Sequence, residues 1–594
     1  MKPSSGCPTA PPFLAGVGVL LLTLLLTACA GLPERLWLNA PGWSRAQWVG
    51  HTQTGDPVPI ATDGEGRLYL LLTGGREDRL HPRVIALDRR AEVLWDRTYE
   101  AITLKWLDQP RLLWSGEGLH LFWLSDWRLY HARLTADGEL LEPPALLSGE
   151  VRVGAYDVAS DSEGRIAVWY SGSRRSPGLY ALPPDNPEGE PTLMDPEGIR
   201  PDLQYDAEGT LHSVWLHYPP GYGTIALLYA AYPRQADHPV QPVSVREISL
   251  GVGGVLEGPR LGVSQEGVYL FWTVIVRTGM EAGRAETSYV HFPPGQPDRA
   301  SPAQALTVPA DYHLTYRPFP GGELKAGDRV PWGTGQRGVA YVTEVAVVPS
   351  PGRELAIAFH ARLPYLMRKE RGQVGLLFFQ QGAPVAYQLL SFTSVRSEHP
   401  ALSRDSEGYL YATWLEGREP SGFPVYLAGT APEMRSALRP LTPEDVGRLS
   451  VETLFGLLTG ALLFPLIFVW LIPPMLLLGL TSAIWRREER LLSPGVLISL
   501  TLALAAYWAG KLAILPGIRH YVPFSAWIPF IPPWLAPILR WGVPPLLTGL
   551  AFLTAWGYTY RRQQPSLLFF LFIYAAVDGV LTLAVYGVLV YAAF

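Results

Sequence analysis

Cysteine is nearly missing from this sequence. Its 594 residues contain two, Cys7 and Cys29, both close to the N-terminus. No disulfide framework and no cysteine-based metal site can therefore form in the body of the chain. Charge is sparse as well: 17% of residues are charged and the formal net charge is −5. That balance argues against a nucleic-acid partner, which needs a basic surface. An HExxH helix, a phosphate loop, a dinucleotide fingerprint and a Ser-His-Asp arrangement in a supporting context are all absent. No cofactor and no metal site is implied. The sequence leans away from an enzyme without closing the question.

What is abundant is apolar residues, 48% of the chain, concentrated at its two ends. Near the N-terminus, Lys2 precedes an apolar run from Phe13 to Leu26 that ends in Leu26-Thr27-Ala28-Cys29. A positive residue, a short apolar segment and small residues make a secretory signal. The Leu-Thr-Ala-Cys end resembles the bacterial lipobox, in which the cysteine becomes the lipidated first residue of the mature chain. An uncleaved signal anchor is the plainer alternative. The expected division is a signal peptide over 1–28 and a linker lipidated on Cys29 over 29–49. A propeller over 50–440, a second linker over 441–453 and a membrane domain over 454–594 follow.

The C-terminal region predicts four spans: one kinked helix over Leu454–Ile484 containing Pro473-Pro474, then Gly495–Leu515, Gly542–Tyr560 and Leu567–Ala592. Two loops that four spans place on one side carry Arg486, Arg487, Arg490, Arg561 and Arg562, whereas the opposite loop has Arg519 and Arg540. The positive-inside tendency makes the arginine-rich loops cytoplasmic and puts the region before residue 450 outside, as the signal also requires. The expected location is a bacterial cell membrane, crossed several times. Lys511 and Asp578 fall within spans, and intramembrane charges are functional candidates. Lys511 is near the outer end of its helix and can snorkel, whereas Asp578 needs a partner or a polar cavity, for which a structural hydrogen bond between helices is a plainer reading than a proton or ion path.

Between these ends runs a repeat. "DGEGRLYLLL", "SGEGLHLFW", "DSEGRIAVWY", "DAEGTLHSVW", "SQEGVYLFW", the degenerate "SPGRELAIAF" and "DSEGYLYATW" contain Gly66, Gly118, Gly164, Gly209, Gly267, Gly352 and Gly408. The glycines are 45 to 58 residues apart, with one interval of 85. Proline stands eight residues before the glycine at Pro110, Pro201, Pro259 and Pro400, and tryptophan follows at Trp123, Trp169, Trp215, Trp272 and Trp414. Each copy reads as a β-hairpin, with Asp or Ser opening the turn and Gly closing it. Three to four strands per unit of this length predict an all-β propeller. Seven blades fit the seven anchors; the long interval leaves six or eight open. The four-helix membrane domain follows the ring. The repeat resembles sialidase-fold and NHL-type propellers over most of residues 50–430, and this implies architecture alone. The sialidase aspartate box has Asp two residues before Gly, whereas Asp161, Asp206 and Asp405 stand three before it. Ile199-Arg200-Pro201 is the nearest approach to that family's Arg-Ile-Pro.

If the Glu-Gly turns join first and second strands, the turns between second and third strands share the opposite face. These carry Arg76, Arg128, Arg174, Arg175, Arg284, Arg368 and Arg418, with His217 and Tyr218 in the remaining copy. Converging arginines would bind an anionic glycan, phosphate or lipid head group. The bland reading is arginine kept on loops for solubility. The tryptophans read as blade packing rather than sugar platforms. The turn glutamates, such as Glu163 and Glu208, read as solvated and too far apart to hold calcium. The expected role is binding, recognition or scaffolding toward an anionic glycan, an envelope component or a membrane-protein partner. One alternative is a glycosidase- or lyase-like propeller, which needs two carboxylates or a Tyr–Glu pair beside the arginines. Another is transport or signalling through Asp578.

Overall fold

The computed structural model of the protein describes residues 40–591 apart from short segments, chiefly 77–78, 184–188, 220–223, 235–240, 310–316, 325–328, 333–338, 486–493 and 562–565. Cys29 and the signal segment lie outside the described residues.

Alternating apolar strands close into a ring of seven antiparallel sheets. Their first strands are Ile60–Thr62, Asp108–Ser115, Ala155–Ser160, Gly198–Tyr205, Gly254–Ser264, Val339–Val347 and Ser397–Arg404, taken here as blades one to seven. First strands of successive blades touch one another around the ring, and the seventh returns to the first, so they line the axis. Among the described residues the interval of 85 holds no extra blade. It enlarges blade six, where Thr307–Pro309 and Val330–Pro331 flank the four regular strands to make a six-stranded sheet.

Blade seven closes the ring. Gln47–Thr52 pairs antiparallel with Phe423–Gly429, so strands from the two ends of the propeller complete one sheet. The ring thus begins inside the stretch expected as a linker. Ser44 donates its backbone N–H to Gly429 O at 2.7 Å, and Ala40 and Trp43 are buried beside it. Closure matters because each blade buries its apolar faces only against its neighbours.

The repeated turn does structural work. Asp161 Oδ1 accepts the backbone N–H of Glu163 at 3.0 Å and of Arg165 at 2.9 Å, while Oδ2 accepts Arg165 Nε at 2.7 Å. Asp63, Asp206 and Asp405 make the same pair of backbone bonds. Gly164 closes the turn at φ +85°, a left-handed conformation that strains any side chain. The five repeated tryptophans are all at most 5% exposed and sit between blades. Glu163 pairs with Arg234 and Glu407 with Arg89, so these turn glutamates are tied to neighbouring elements.

Beyond blade seven, helix α1 (Pro432–Leu438) packs Met434 and Leu438 onto the propeller. Helix α2 (Pro443–Leu462) follows, largely where a linker was expected. Four helices are long and apolar enough to cross a membrane: α3 (Ile467–Trp485), α4 (Pro494–Ile514), α5 (Leu535–Arg561) and α6 (Leu567–Tyr586). The break in the first apolar stretch differs from expectation. A 3-10 turn at Phe464–Leu466 separates α2 from α3, whereas Pro473-Pro474 lies inside α3. Pro465 sits in that turn, where its missing N–H ends the helical ladder.

Candidate functional site

The four prolines that precede the turn glycine mark a β-bulge in the first strand. In blades two, four, five and seven the pairing slips between Asp108 and Arg111, Ile199 and Asp202, Glu257 and Arg260, and Glu398 and Ala401. The residue before each proline is left-handed: Gln109 at φ +50°, Arg200 at +54°, Gly258 at +92° and His399 at +55°. Non-glycine residues are uncommon there, and both bulges and such conformations concentrate near functional sites. A proline removes one ladder donor, and the bulge accommodates the loss.

These bulges lie toward the start of the first strands. Antiparallel geometry puts that end on the same face as the turns between second and third strands, opposite the Glu-Gly turns. Around the axis they gather a charged belt. Arg111 Nε donates to Asp157 Oδ1 at 3.0 Å across blades two and three. Asp157 Oδ2 accepts the Leu203 N–H of blade four at 2.8 Å. Asp202 accepts Arg260 Nη1 at 2.9 Å and the Leu261 N–H at 2.7 Å, both from blade five. Glu344 of blade six accepts the His399 N–H of blade seven at 2.7 Å. These carboxylates therefore staple blade to blade as well as charge the axis.

One sector gathers acids whose burial holds them above the usual carboxylate range. Burial and the nearby Asp108 push the Asp56 carboxyl up to about 6, against the opposing pull of Arg111 and His399. Burial raises Asp108 as well. Burial also raises Glu344, despite the lowering effect of His399. Displaced carboxyls packed beside arginine are a feature of functional sites. Tyr156 stands near this group, but it is 2% exposed and its hydroxyl donates to Gln109 O at 2.6 Å, which removes it as a free nucleophile.

The turn arginines surround this belt on the same face. Arg76, Arg128 and Arg175 are exposed on the turns between second and third strands of blades one, two and three. Arg284 pairs with Glu286 on its own hairpin and lies over Tyr341, its Cζ 5.5 Å from the ring centroid. Arg418 lies over Phe423, at 5.6 Å. Arg174 and Arg368 fall outside the described residues. In the fourth copy His217 is held by Asp195 at 2.8 Å and Glu197 at 3.3 Å. Sequence reasoning missed the axial belt. Its only signal was the proline eight residues before the glycine, whose structural meaning needed the strand pairing.

In the helical domain, Asp578 of α6 is fully buried and Lys511 of α4 is 2% exposed. Lys511 does not snorkel. Its Nζ donates to Asp578 Oδ2 at 2.7 Å and lies 4.4 Å from the Trp508 ring centroid. Tyr507, one turn before Lys511, donates to the same oxygen at 2.8 Å, and Thr548 of α5 donates to Oδ1 at 3.2 Å. The pair thus joins three helices. A buried charge needs such company.

The class is that of a seven-bladed β-propeller followed by a helical domain with four helices fit to cross a membrane. No protein-family model matches the sequence, and no curated protein matches it. Solved propellers are similar at the level of the ring. The polysaccharide lyase Uly1 is 8% identical, with a TM-score of 0.42 over 64% of this chain and 91% of its own. A sialidase of Trypanosoma rangeli, in a mutant displaying trans-sialidase activity, is 10% identical with a TM-score of 0.34 over 72% of this chain and 62% of its own. BBS1N, solved in complex with ARL6DN, is 13% identical with a TM-score of 0.32 over 67% of this chain and 98% of its own.

Proposed function

We propose that this protein is a membrane-anchored recognition module whose propeller, outside the cytoplasm, binds an acidic glycan or a related envelope component. The observation that carries the reading is the juxtaposition on one face of an axial belt of carboxylates and arginines with turns bearing Arg76, Arg128 and Arg175. Carboxylates accept hydrogen bonds from sugar hydroxyls, and arginine pairs with sugar carboxylates in bidentate geometry. The four C-terminal helices and a lipid on Cys29 would hold the ring at the surface of a bacterial cell, with the arginine-rich loops at 486–490 and 561–562 inside. The test is adsorption of the full chain in nanodiscs to an acidic and a neutral polysaccharide of matched size. Arg76→Ala, Arg128→Ala and Arg175→Ala combined should remove selectivity for the acidic polymer by tenfold or more. Equal adsorption by wild type and triple variant overturns the reading.

A second reading is favoured by one observation, the Asp56–Asp108 neighbourhood with Arg111 beside it. A carboxyl pushed up to about 6 can donate a proton near neutral pH. This would make the protein a hydrolase or lyase for surface polysaccharide. Product release that is lost in Asp56→Asn, with adsorption retained, would establish it.

A further inference from the structure

Blades six and seven bring together three donors that 54 positions of sequence keep apart. One oxygen each of Glu344 and Glu398 and a ring nitrogen of His399 all lie within 4.8 Å of one another. Glu344 Oε2 is 3.4 Å from His399 Nδ1, and Glu398 Oε2 is 3.9 Å from His399 Nε2. The left-handed bulge at His399 turns its imidazole toward both carboxylates, with Pro400 fixing the chain that follows.

A second observation is independent of this cluster. His360 is 4% exposed, and its Nε2 has no hydrogen-bond partner. Its other nitrogen is held by Thr343 Oγ1 at 2.6 Å, which fixes the ring. His360 lies directly opposite Glu344 in the pairing of adjacent strands, so the two side chains share a face of the sheet. A Cβ placed on Gly372 would come 2.5 Å from His360 Nε2 and 2.9 Å from Arg396 Cγ. The lone nitrogen and the stem of Arg396 thus both border Gly372, and Arg396 Nη2 caps Glu398 Oε2 at 2.5 Å. That carboxylate oxygen is buried and receives no aligned hydrogen bond, while the Arg396 side chain is 61% exposed.

We infer that Glu344, Glu398 and His399 form a site for a divalent transition-metal ion, with His360 flanking it and Arg396 occupying the cation position otherwise. Two carboxylates and an imidazole suit zinc or manganese, whereas calcium prefers an all-oxygen shell of six to eight ligands and magnesium keeps its waters. The site stands on its own and does not depend on a glycan being the ligand.

The experiment is equilibrium dialysis and calorimetry of the full chain in detergent, after chelator treatment, with zinc, manganese, calcium and magnesium chlorides. One saturable zinc or manganese ion per chain is expected, with neither calcium nor magnesium competing at tenfold excess. Glu398→Gln combined with His399→Asn should weaken binding at least tenfold, and Arg396→Ala should tighten it. Unchanged thermal unfolding of each variant without metal shows that the ring is intact. His399→Asn alone, whose residue type tolerates the left-handed backbone, serves if the double variant fails to fold. The inference is overturned by no saturable binding in the wild type, by binding that survives the substitutions, or by a preference for calcium.

Discussion

The Lys511–Asp578 pair makes a sharp stability prediction. At 2.7 Å and an effective dielectric near 20, two unit charges attract by about 6 kcal/mol. Much of that gain is offset by taking both groups out of water, so the pair as a whole adds little over a packed apolar alternative. Its halves behave differently. Lys511→Met leaves a carboxylate of 0% exposure with the hydroxyls of Tyr507 and Thr548 but without its cation, which should cost about 3–5 kcal/mol. Asp578→Leu strands a buried ammonium at similar cost. The double variant should return to within about 2 kcal/mol of wild type, a coupling of several kcal/mol between the two sites. Tyr507→Phe removes one bond to a charged group and should cost about 1.5–3 kcal/mol. The assay is unfolding of the detergent-solubilised chain in a denaturing-detergent titration, followed by far-ultraviolet circular dichroism. Additive single effects, or singles each within about 1 kcal/mol of wild type, would refute the claim that these charges are locked together between helices.

Other expectations concern the propeller. His120 and His131 stack in blade two with nitrogens 3.0 Å apart, and burial depresses them to about 4 and about 3. The unfolded chain protonates them near 6.5, so their contribution is full above that pH and is lost as pH falls toward 4. Denaturant midpoints between pH 7 and 4.5 should drop less in a His120→Gln, His131→Phe variant; parallel curves would contradict this. Asp56 has the opposite sign. Its carboxyl, raised to about 6, opposes folding once ionised, so Asp56→Asn should stabilise the protein at pH 8 by up to about 3 kcal/mol and leave it unchanged at pH 3.5. Equal stability at pH 8 would count against a buried acid there. Asp161→Ala releases two backbone N–H groups and the Arg165 contact, and should cost about 1–3 kcal/mol by denaturant titration; a neutral result would mean water replaces the carboxylate freely.

The ring was legible in the sequence because its determinants are local and repeated. Asp161 to Gly164 closes a turn with its own backbone, and Trp169 follows at a fixed offset, so each copy carries its own instruction. Blade count needed the structure only where the copy around Gly352 lost its aspartate and an insertion lengthened the interval. The axial belt was not legible. Arg111 meets Asp157, and Glu344 meets His399, through contacts between blades that no local pattern encodes. Gln109 and His399 each precede a proline, but nothing in that dipeptide says that the strand will bulge. Lys511 was misjudged for a related reason. Its position near a helix end favours the water interface, whereas the choice was made by Asp578 on another helix, 67 residues away. The break at Pro465 competed with a more conspicuous Pro473-Pro474, which α3 absorbs. Among the described residues, Arg76, Arg128, Arg175, Arg284 and Arg418 lie on connections between second and third strands.

The pairing of Gln47–Thr52 with Phe423–Gly429 has a mechanical consequence. Ser44 and Gly429 are neighbours, so the propeller's incoming and outgoing chains are side by side at one blade. If both are held by the same membrane, a displacement of that surface moves the two ends together. The seam that shuts the ring then feels almost no relative tug, and the other six blades feel none. Drawing the two ends apart would instead peel the seam from its Gln47–Leu427 end, one ladder bond after another. A ring held by neighbouring ends would thus have its closure shielded from the motion of the surface that holds it.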